Sequence, residues 1–218
     1  MIKAVIFDLD GTLLDTEKYF RINWPKAFEH FGYSLTDEQA LSFRSLGRPF
    51  AQQRLKEISG DSNFNYEEVK NYRQKLMEQD IQKNGLELKK GAVEFLEFLK
   101  KKKIVCAIGT ASPEDRAKRY LEQTGILHYF DFIISATSVK EGKPSPDIYS
   151  YAVNQLGLKP EECLAVEDSP NGILSAYRAG CKVAMIPDQT PADDEVFGLL
   201  FCCKKSLDEL IDCFPNLC

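Results

Sequence analysis

The sequence predicts an α/β protein built on a parallel sheet. Three observations lead there. Short apolar runs of strand length recur along the chain, helical segments with start and stop signals lie between them, and several runs end on polar residues. The first run, Ala4-Val5-Ile6-Phe7, ends at Asp8. A second, Ile104-Val105-Cys106-Ala107-Ile108, ends at Gly109-Thr110. Phe132-Ile133-Ile134-Ser135 is the third, Cys163-Leu164-Ala165-Val166 the fourth, ending at Glu167-Asp168, and Lys182-Val183-Ala184-Met185-Ile186 the fifth. The intervening helices are punctuated alike. Ser112-Pro113, Ser145-Pro146 and Ser169-Pro170 each offer an N-cap with proline in the first turn, and Gly125, Gly157 and Gly180 close them.

Residues 16–86 read differently. They hold no comparable β-branched run but carry apolar residues at helical spacing: Tyr19, Phe20, Trp24, Ala27, Phe28 and Phe31, later Leu55 and Ile58, then Tyr66, Val69, Tyr72 and Leu76. A small helical bundle inserted after the first strand is expected, leaving 1–15 and 87–218 to form the α/β domain. The basic run Lys100–Lys103 follows Phe95-Leu96-Glu97-Phe98-Leu99 and reads as the positive end of a helix.

Composition excludes several functions. A net charge of −5 offers no basic face for nucleic acid. No stretch approaches the ~18–20 apolar residues of a membrane span, and Met1-Ile2-Lys3-Ala4 runs straight into a strand, so no secretory leader is expected. Seven cysteines without a CxxC spacing read as free thiols in a reducing cytoplasm. Two isolated histidines, His30 and His128, support neither a histidine metal site nor a Ser–His–Asp triad. The chemistry must run on carboxylates.

In parallel sheets ligands sit beyond the carboxyl ends of the strands. Asp8, Asp10, Thr110, Glu167 and Asp168 stand there, with Lys143 in the loop after the third strand. Carboxylates converging on one crevice repel one another unless a cation lies among them. An all-oxygen donor set points to a hard ion, Mg²⁺ above all. A lysine and a hydroxyl beside such an ion suit a phosphoryl group.

These residues carry a resemblance. Asp8-Leu9-Asp10-Gly11-Thr12 resembles the first motif of the haloacid dehalogenase-like superfamily. Ile108-Gly109-Thr110-Ala111-Ser112 resembles the second, Gly142-Lys143-Pro144 the third, and Val166-Glu167-Asp168-Ser169-Pro170 the fourth. Four motifs occur in order, each at its strand end. The helical insertion resembles the cap of the β-phosphoglucomutase-like branch. The resemblance implies a Rossmann-like core with helices on both faces and an α-helical cap. It makes Asp8 the nucleophile that becomes an aspartyl-phosphate, and Asp10 the acid/base. Mg²⁺ would be held by Asp8, the Asp10 carbonyl and Asp168, with Glu167 on a metal-bound water or the metal itself. Lys143 would offset charge, while Thr110 and the N–H groups of Leu9 and Ala111 grip phosphoryl oxygens. Gly11 is required where a tight turn brings Asp10 back over the site.

An aspartate at position 10 favours C–O–P chemistry, because a halide leaving group needs no proton. Phosphatase and phosphomutase then remain, with a non-catalytic relative as a third reading against which every motif residue is retained. Gly47-Arg48-Pro49 resembles the cap loop whose arginine grips a distal phosphate in the mutases. The cap helix of those mutases carries a histidine that gates the acid/base, and Phe20 stands in its place. Phenylalanine cannot relay a proton, which favours the phosphatase. Phe20 and Trp24 lie one helical turn apart, a spacing that serves cap core or cleft. Glu17 and Lys18 lie near the expected hinge and within reach of substrate, and Asp15 is expected to cap the helix that follows. The expected ligand is a small phosphorylated metabolite, and the expected state a cytoplasmic monomer with no nucleic-acid or membrane partner.

Overall fold

The computed structural model describes residues 1–191 and 194–216. Cys218 therefore lies outside the described residues. Six parallel strands form one sheet in the order β3-β2-β1-β4-β5-β6: β1 (Ala4–Phe7), β2 (Val105–Thr110), β3 (Phe132–Ser135), β4 (Cys163–Glu167), β5 (Lys182–Met185) and β6 (Cys202–Cys203). The five expected strands are present with ends within a residue or two. The two-residue β6 is too short for any periodicity, and sequence reading passes over it. Ala4 lies opposite Val105 on one side and Cys163 on the other, so β1 is central. From β1 the chain builds outward through β2 and β3, then returns to the other side of β1 for β4. That reversal opens a crevice at the carboxyl ends of β1 and β4.

The strands bury alternate residues on opposite faces, as a period of two requires. Val5, Phe7, Ile108, Leu164 and Val166 join one apolar cluster with α5 (Ala92–Lys101) and α6 (Glu114–Gln123). Ala4, Ile6, Ala107, Ala165 and Met185 join the other, with α7 (Asp147–Leu156) and α8 (Pro170–Arg178). Both faces are thus covered by helices. Lys100 and Lys101 do fall in the last turn of α5.

Of the three Ser-Pro starts, only one acts as a side-chain cap. The Ser169 hydroxyl accepts from the Gly172 N–H at 3.2 Å, and Pro170 fills the first turn of α8. For α6 the cap position belongs to Pro113, and for α7 to Pro146, neither with a side-chain cap bond. Ser145 turns instead to Asp147 at 2.7 Å, and Ser112 has another partner described below. The expected cap at Asp15 is likewise corrected. Thr16 holds that position, and Asp15 pairs with Lys18 at 2.7 Å across the first turn.

Between β1 and α5 lie α1 (Glu17–His30), α2 (Asp37–Ser42), α3 (Phe50–Ser59) and α4 (Tyr66–Asn84). They have a cluster of their own, in which Trp24, Phe28, Phe43, Leu55, Phe64 and Val69 are buried. Phe28 is its centre, edge-on to Trp24 and Tyr33 and tilted against Phe64. Tyr19, Met77 and Ile81 nevertheless pack into the sheet-side cluster, so α1 and α4 are shared between the two cores.

A second contact between helical and sheet regions uses backbone alone. The Gly47 N–H donates to the Lys143 carbonyl at 2.9 Å, and the Gly142 N–H donates to the Arg48 carbonyl at 2.7 Å. A Cβ on Gly47 would lie 2.4 Å from the Gly142 Cα, and one on Gly142 2.5 Å from that of Gly47. Only glycine permits this approach.

Truncating Phe28 removes a fully buried ring that touches three others. Phe28→Ala is expected to cost about 3–5 kcal/mol, read as a lowered midpoint in urea unfolding. A loss below about 1 kcal/mol would mean that the helical cluster collapses around the gap.

Candidate active site

Asp8 follows the last residue of β1 in the crevice opened by the strand reversal. It is 2% exposed. The loop that follows turns back sharply: Gly11 takes a φ of +87°, and the Leu13 and Leu14 N–H groups both donate to the Leu9 carbonyl. A Cβ on Gly11 would lie 2.4 Å from Asp168 Oδ2, so this turn works only without a side chain. Asp168 follows β4, and the Thr12 hydroxyl donates to its Oδ1 at 3.3 Å. Glu167, the last residue of β4, is wholly buried over Gly172, where a Cβ would strike its carboxylate. Both glycines make room for acids.

Lys143 reaches into this cluster from the loop after β3 and is itself fully buried. Its ammonium donates to Asp8 Oδ1 and, at 2.6 Å, to Glu167 Oε1. The Tyr149 hydroxyl, from α7, donates to the same Glu167 oxygen at 2.5 Å. Burial of the lysine opposes its charge, but the two carboxylates prevail and raise its pKa. Burial is also the largest influence on Asp8. It raises the pKa from 3.8 to about 8, against the opposing pull of Lys143. Asp168 is pushed upward by burial as well, against the attraction of Arg44.

Asp8, Glu167 and Asp168 bring one oxygen each to within 4.8 Å of one another. Asp8 Oδ2 and Glu167 Oε2 are buried without a hydrogen-bond partner. Orphaned anionic oxygens are costly unless a cation completes them. Three carboxylates and no nitrogen or sulfur donor make a set that fits a hard divalent ion. Arg44, which sequence reading passes over, enters between the α2 and α3 helices. It donates to Asp168 Oδ2 through Nη2 and to Glu17 Oε2 at 3.2 Å through Nε. It therefore brings positive charge to the same acidic cluster. Glu17 is 5% exposed, and burial first among its neighbours' influences raises its pKa to about 7.

Asp10 stands apart from this trio, bound through both oxygens. The Thr16 hydroxyl donates to Oδ1 at 2.8 Å, while Ser112 Oγ at 2.5 Å and Arg116 Nη2 at 2.6 Å donate to Oδ2. Ser112 is thus a partner of Asp10, not a helix cap. The reason is reach: β2 ends on Thr110, which carries Ser112 to the crevice before α6 begins. Arg116 lies on the first turn of α6, and nothing in its sequence setting distinguishes it from a solvated helical arginine.

The remaining expected residues divide. Thr110, 1% exposed, and Ala111 line a cleft of about 320 Å³ that also contains Asp8, Asp10 and Glu17. The Thr110 hydroxyl accepts from the Ser112 N–H at 3.0 Å. The Leu9 side chain is buried in the sheet-side cluster. Phe20 and Trp24 both line the cleft, and Trp24 at the same time belongs to the helical core, so spacing served both purposes. Arg48 is placed elsewhere. It is exposed, outside the cleft lining, and its guanidinium donates to the Ala136 carbonyl at 3.0 Å. Gly47 beside it pairs with Lys143, and the arginines that line the cleft are Arg21, Arg44, Arg73, Arg116 and Arg119. Lys18 also faces outward, held by Asp15 and Glu87.

Comparison with known proteins follows the same lines. Residues 5–186 match the family model of haloacid dehalogenase-like hydrolases. A phosphorylated carbohydrates phosphatase of Thermotoga maritima is 32% identical over 183 residues, covering 82% of each chain. Hexitol phosphatase A of Escherichia coli is 32% identical over 206 residues, 89% of this chain and 88% of that one. Among solved structures, a β-phosphoglucomutase from Clostridium difficile matches with a TM-score of 0.85 over 100% of this chain and 97% of that one. Its identity of 24% makes this a likeness of fold.

The raised pKa of Asp8 has a consequence for stability. A carboxyl whose folded pKa lies above its unfolded value binds a proton more tightly when folded. Stability without metal is therefore lost as pH rises from about 4 towards 8. Asp8→Asn removes that ionisation while leaving Glu167 to hold Lys143. In EDTA at pH 8 the variant is expected to melt above the parent by differential scanning calorimetry. A lower melting temperature would mean that attraction to Lys143 outweighs the cost of burying the Asp8 charge.

Proposed function

The chain belongs to the haloacid dehalogenase-like hydrolases, and on that premise we propose that it is a Mg²⁺-dependent phosphatase of small phosphorylated metabolites, sugar phosphates or similar esters. The observation that carries this reading is the meeting of Asp8, Lys143, Glu167 and Asp168 at one sheet edge, with an orphaned oxygen on Asp8. The relatives named above are a phosphorylated carbohydrates phosphatase and a hexitol phosphatase. No helix among the described residues is long and apolar enough to cross a membrane.

In this reading one carboxylate oxygen of Asp8 attacks phosphorus, in line with the ester oxygen, while the other would face the ion. The P–O bond to the metabolite breaks, and an acyl phosphate forms on Asp8. Asp10 is assigned as the general acid that delivers a proton to the departing oxygen. It then takes a proton from the water that attacks the acyl phosphate, releasing inorganic phosphate and restoring the Asp8 carboxylate. Thr16, Ser112 and Arg116 orient Asp10 for this exchange. Lys143 lies between nucleophile and phosphoryl charge and lowers the repulsion of two anions brought together. Thr110 and the backbone N–H groups of Leu9 and Ala111 are assigned to the phosphoryl oxygens. Asp8 and Asp168 would hold the divalent ion with the Asp10 carbonyl, and Glu167 would hold it directly or through water. When bound, the ion supplies neutralisation of phosphoryl charge.

Phe20 separates the phosphatase from the mutase reading. Its ring lies against the Arg73 and Arg116 guanidinium groups, so at this place the chain offers a surface for cations and no proton relay.

Asp8→Asn is expected to abolish phosphate release from a panel of phosphate esters, and chelation by EDTA to silence the parent enzyme reversibly. Asp10→Asn should lower kcat by roughly 10²–10⁴-fold. Turnover by Asp8→Asn at the parent rate would end the nucleophile assignment. With β-glucose 1-phosphate and a bisphosphate primer, free phosphate is expected to appear faster than glucose 6-phosphate. The reverse order would make the chain a mutase.

A further inference from the structure

The far wall of the cleft carries a charge arrangement that the reaction above uses only in part, through the hold of Arg116 on Asp10. Arg73, from α4, is 5% exposed and has no ion-pair partner among the described residues. Its Nε has no hydrogen-bond partner. Arg116 is 6% exposed, and its Nε is likewise unpartnered, although its Nη2 serves Asp10. Both line the cleft that holds Asp8 and Asp10.

The two guanidinium groups flank one ring. Arg73 stands 4.7 Å and Arg116 5.2 Å from the centroid of Phe20, and Arg73 lies 4.9 Å from that of Trp24. A single neutral oxygen joins them: Gln74 Oε1 accepts from Arg73 at 3.0 Å and from Arg116 at 3.4 Å. Burying a cation without a counter-charge is unfavourable. Aromatic faces offset part of that cost but supply no hydrogen-bond acceptors. Mutual repulsion adds to burial, and together they bring the Arg73 pKa down to about 10, leaving the group charged at neutral pH. An anion in the cleft would satisfy what Gln74 satisfies only in part, and guanidinium forks match carboxylate and phosphate oxygens.

We propose that the substrate carries, besides the phosphoryl group that is removed, a second anionic group, carboxylate or phosphate, bound by Arg73 and Arg116. The inference rests on the phosphatase reading and narrows it, since neutral polyols and simple sugar monophosphates would leave Arg73 without a counter-charge and Arg116 with Asp10 alone. Arg73 then determines specificity, and Phe20 and Trp24 form the platform that holds it toward the cleft.

Matched substrates test this. Phosphate release by the Mg²⁺-loaded enzyme is compared for fructose 1-phosphate against fructose 1,6-bisphosphate, and for glucose 6-phosphate against 6-phosphogluconate. The doubly anionic member is expected to have at least a tenfold higher kcat/KM in one pair, and the pair identifies the second group as phosphate or carboxylate. Arg73→Gln should reduce the ratio to within threefold, and Arg73→Lys should restore part of it, which a packing role alone would not do. A parent ratio within threefold in both pairs overturns the proposal, as does a ratio that Arg73→Gln leaves unmoved. Absence of phosphate release from every ester, p-nitrophenyl phosphate included, would instead strike the phosphatase reading. Titration calorimetry of Asp8→Asn with the same four compounds then decides the subsite by itself: tighter binding of a doubly anionic ligand supports it, and equal binding ends it.

Discussion

Three carboxylates buried within reach of one another repel, and each has lost the water that would screen it. Much of the surrounding structure answers that problem. Lys143 is drawn out of solvent altogether and shared between Asp8 and Glu167, a position that would be untenable for a lysine without both partners. Tyr149 adds a hydroxyl from the opposite helix. Arg44 crosses from the helical region to Asp168. Through these direct contacts and those of Asp10 and Glu17, five carboxylates meet three cations, a formal excess of two negative charges. That excess is what a divalent ion would balance.

The same constraint shapes the backbone. Side chains are excluded where the acids need space, at Gly11 beside Asp168 and at Gly172 beneath Glu167. Parallel strands deliver the acids to one edge because adjacent strands end together: Phe7 of β1 is level with Val166 of β4. The reversal of strand order between them leaves that edge uncovered by crossing helices. The helical region then closes over it, contributing Arg44, Glu17 and the aromatic wall of the cleft.

The sheet and the acidic edge were legible in the sequence because they depend on local pattern. Apolar runs of fixed length and carboxylates just past their ends are visible without knowledge of packing, and Asp8, Asp10, Glu167, Asp168 and Lys143 fall where that pattern puts them. Arg44, Arg73 and Arg116 were not legible. Arg73 and Arg116 sit in helical sequence rich in other charges and Arg44 in a short loop between Phe43 and Ser45, and only tertiary folding tells a buried arginine from a solvated one. Arg48 is the instructive contrast, since resemblance to a mutase cap loop singled it out while its guanidinium donates to the Ala136 carbonyl, outside the cleft lining. Ser112 was misread for a related reason. Serine before proline signals a cap, and the signal is silent about a competing acceptor such as Asp10.

The contact between Gly47-Arg48 and Gly142-Lys143 has a bearing on how such a chain diversifies. Its two hydrogen bonds use only main-chain atoms, and its closeness depends on the absence of side chains on both partners. The docking of the helical region on the lysine loop is thus encoded separately from the residues that line the cleft. Substitutions at Phe20 or Arg73 change what the cleft presents and leave these main-chain bonds in place. The seat of the helical region and the wall that meets the ligand thus answer to different residues.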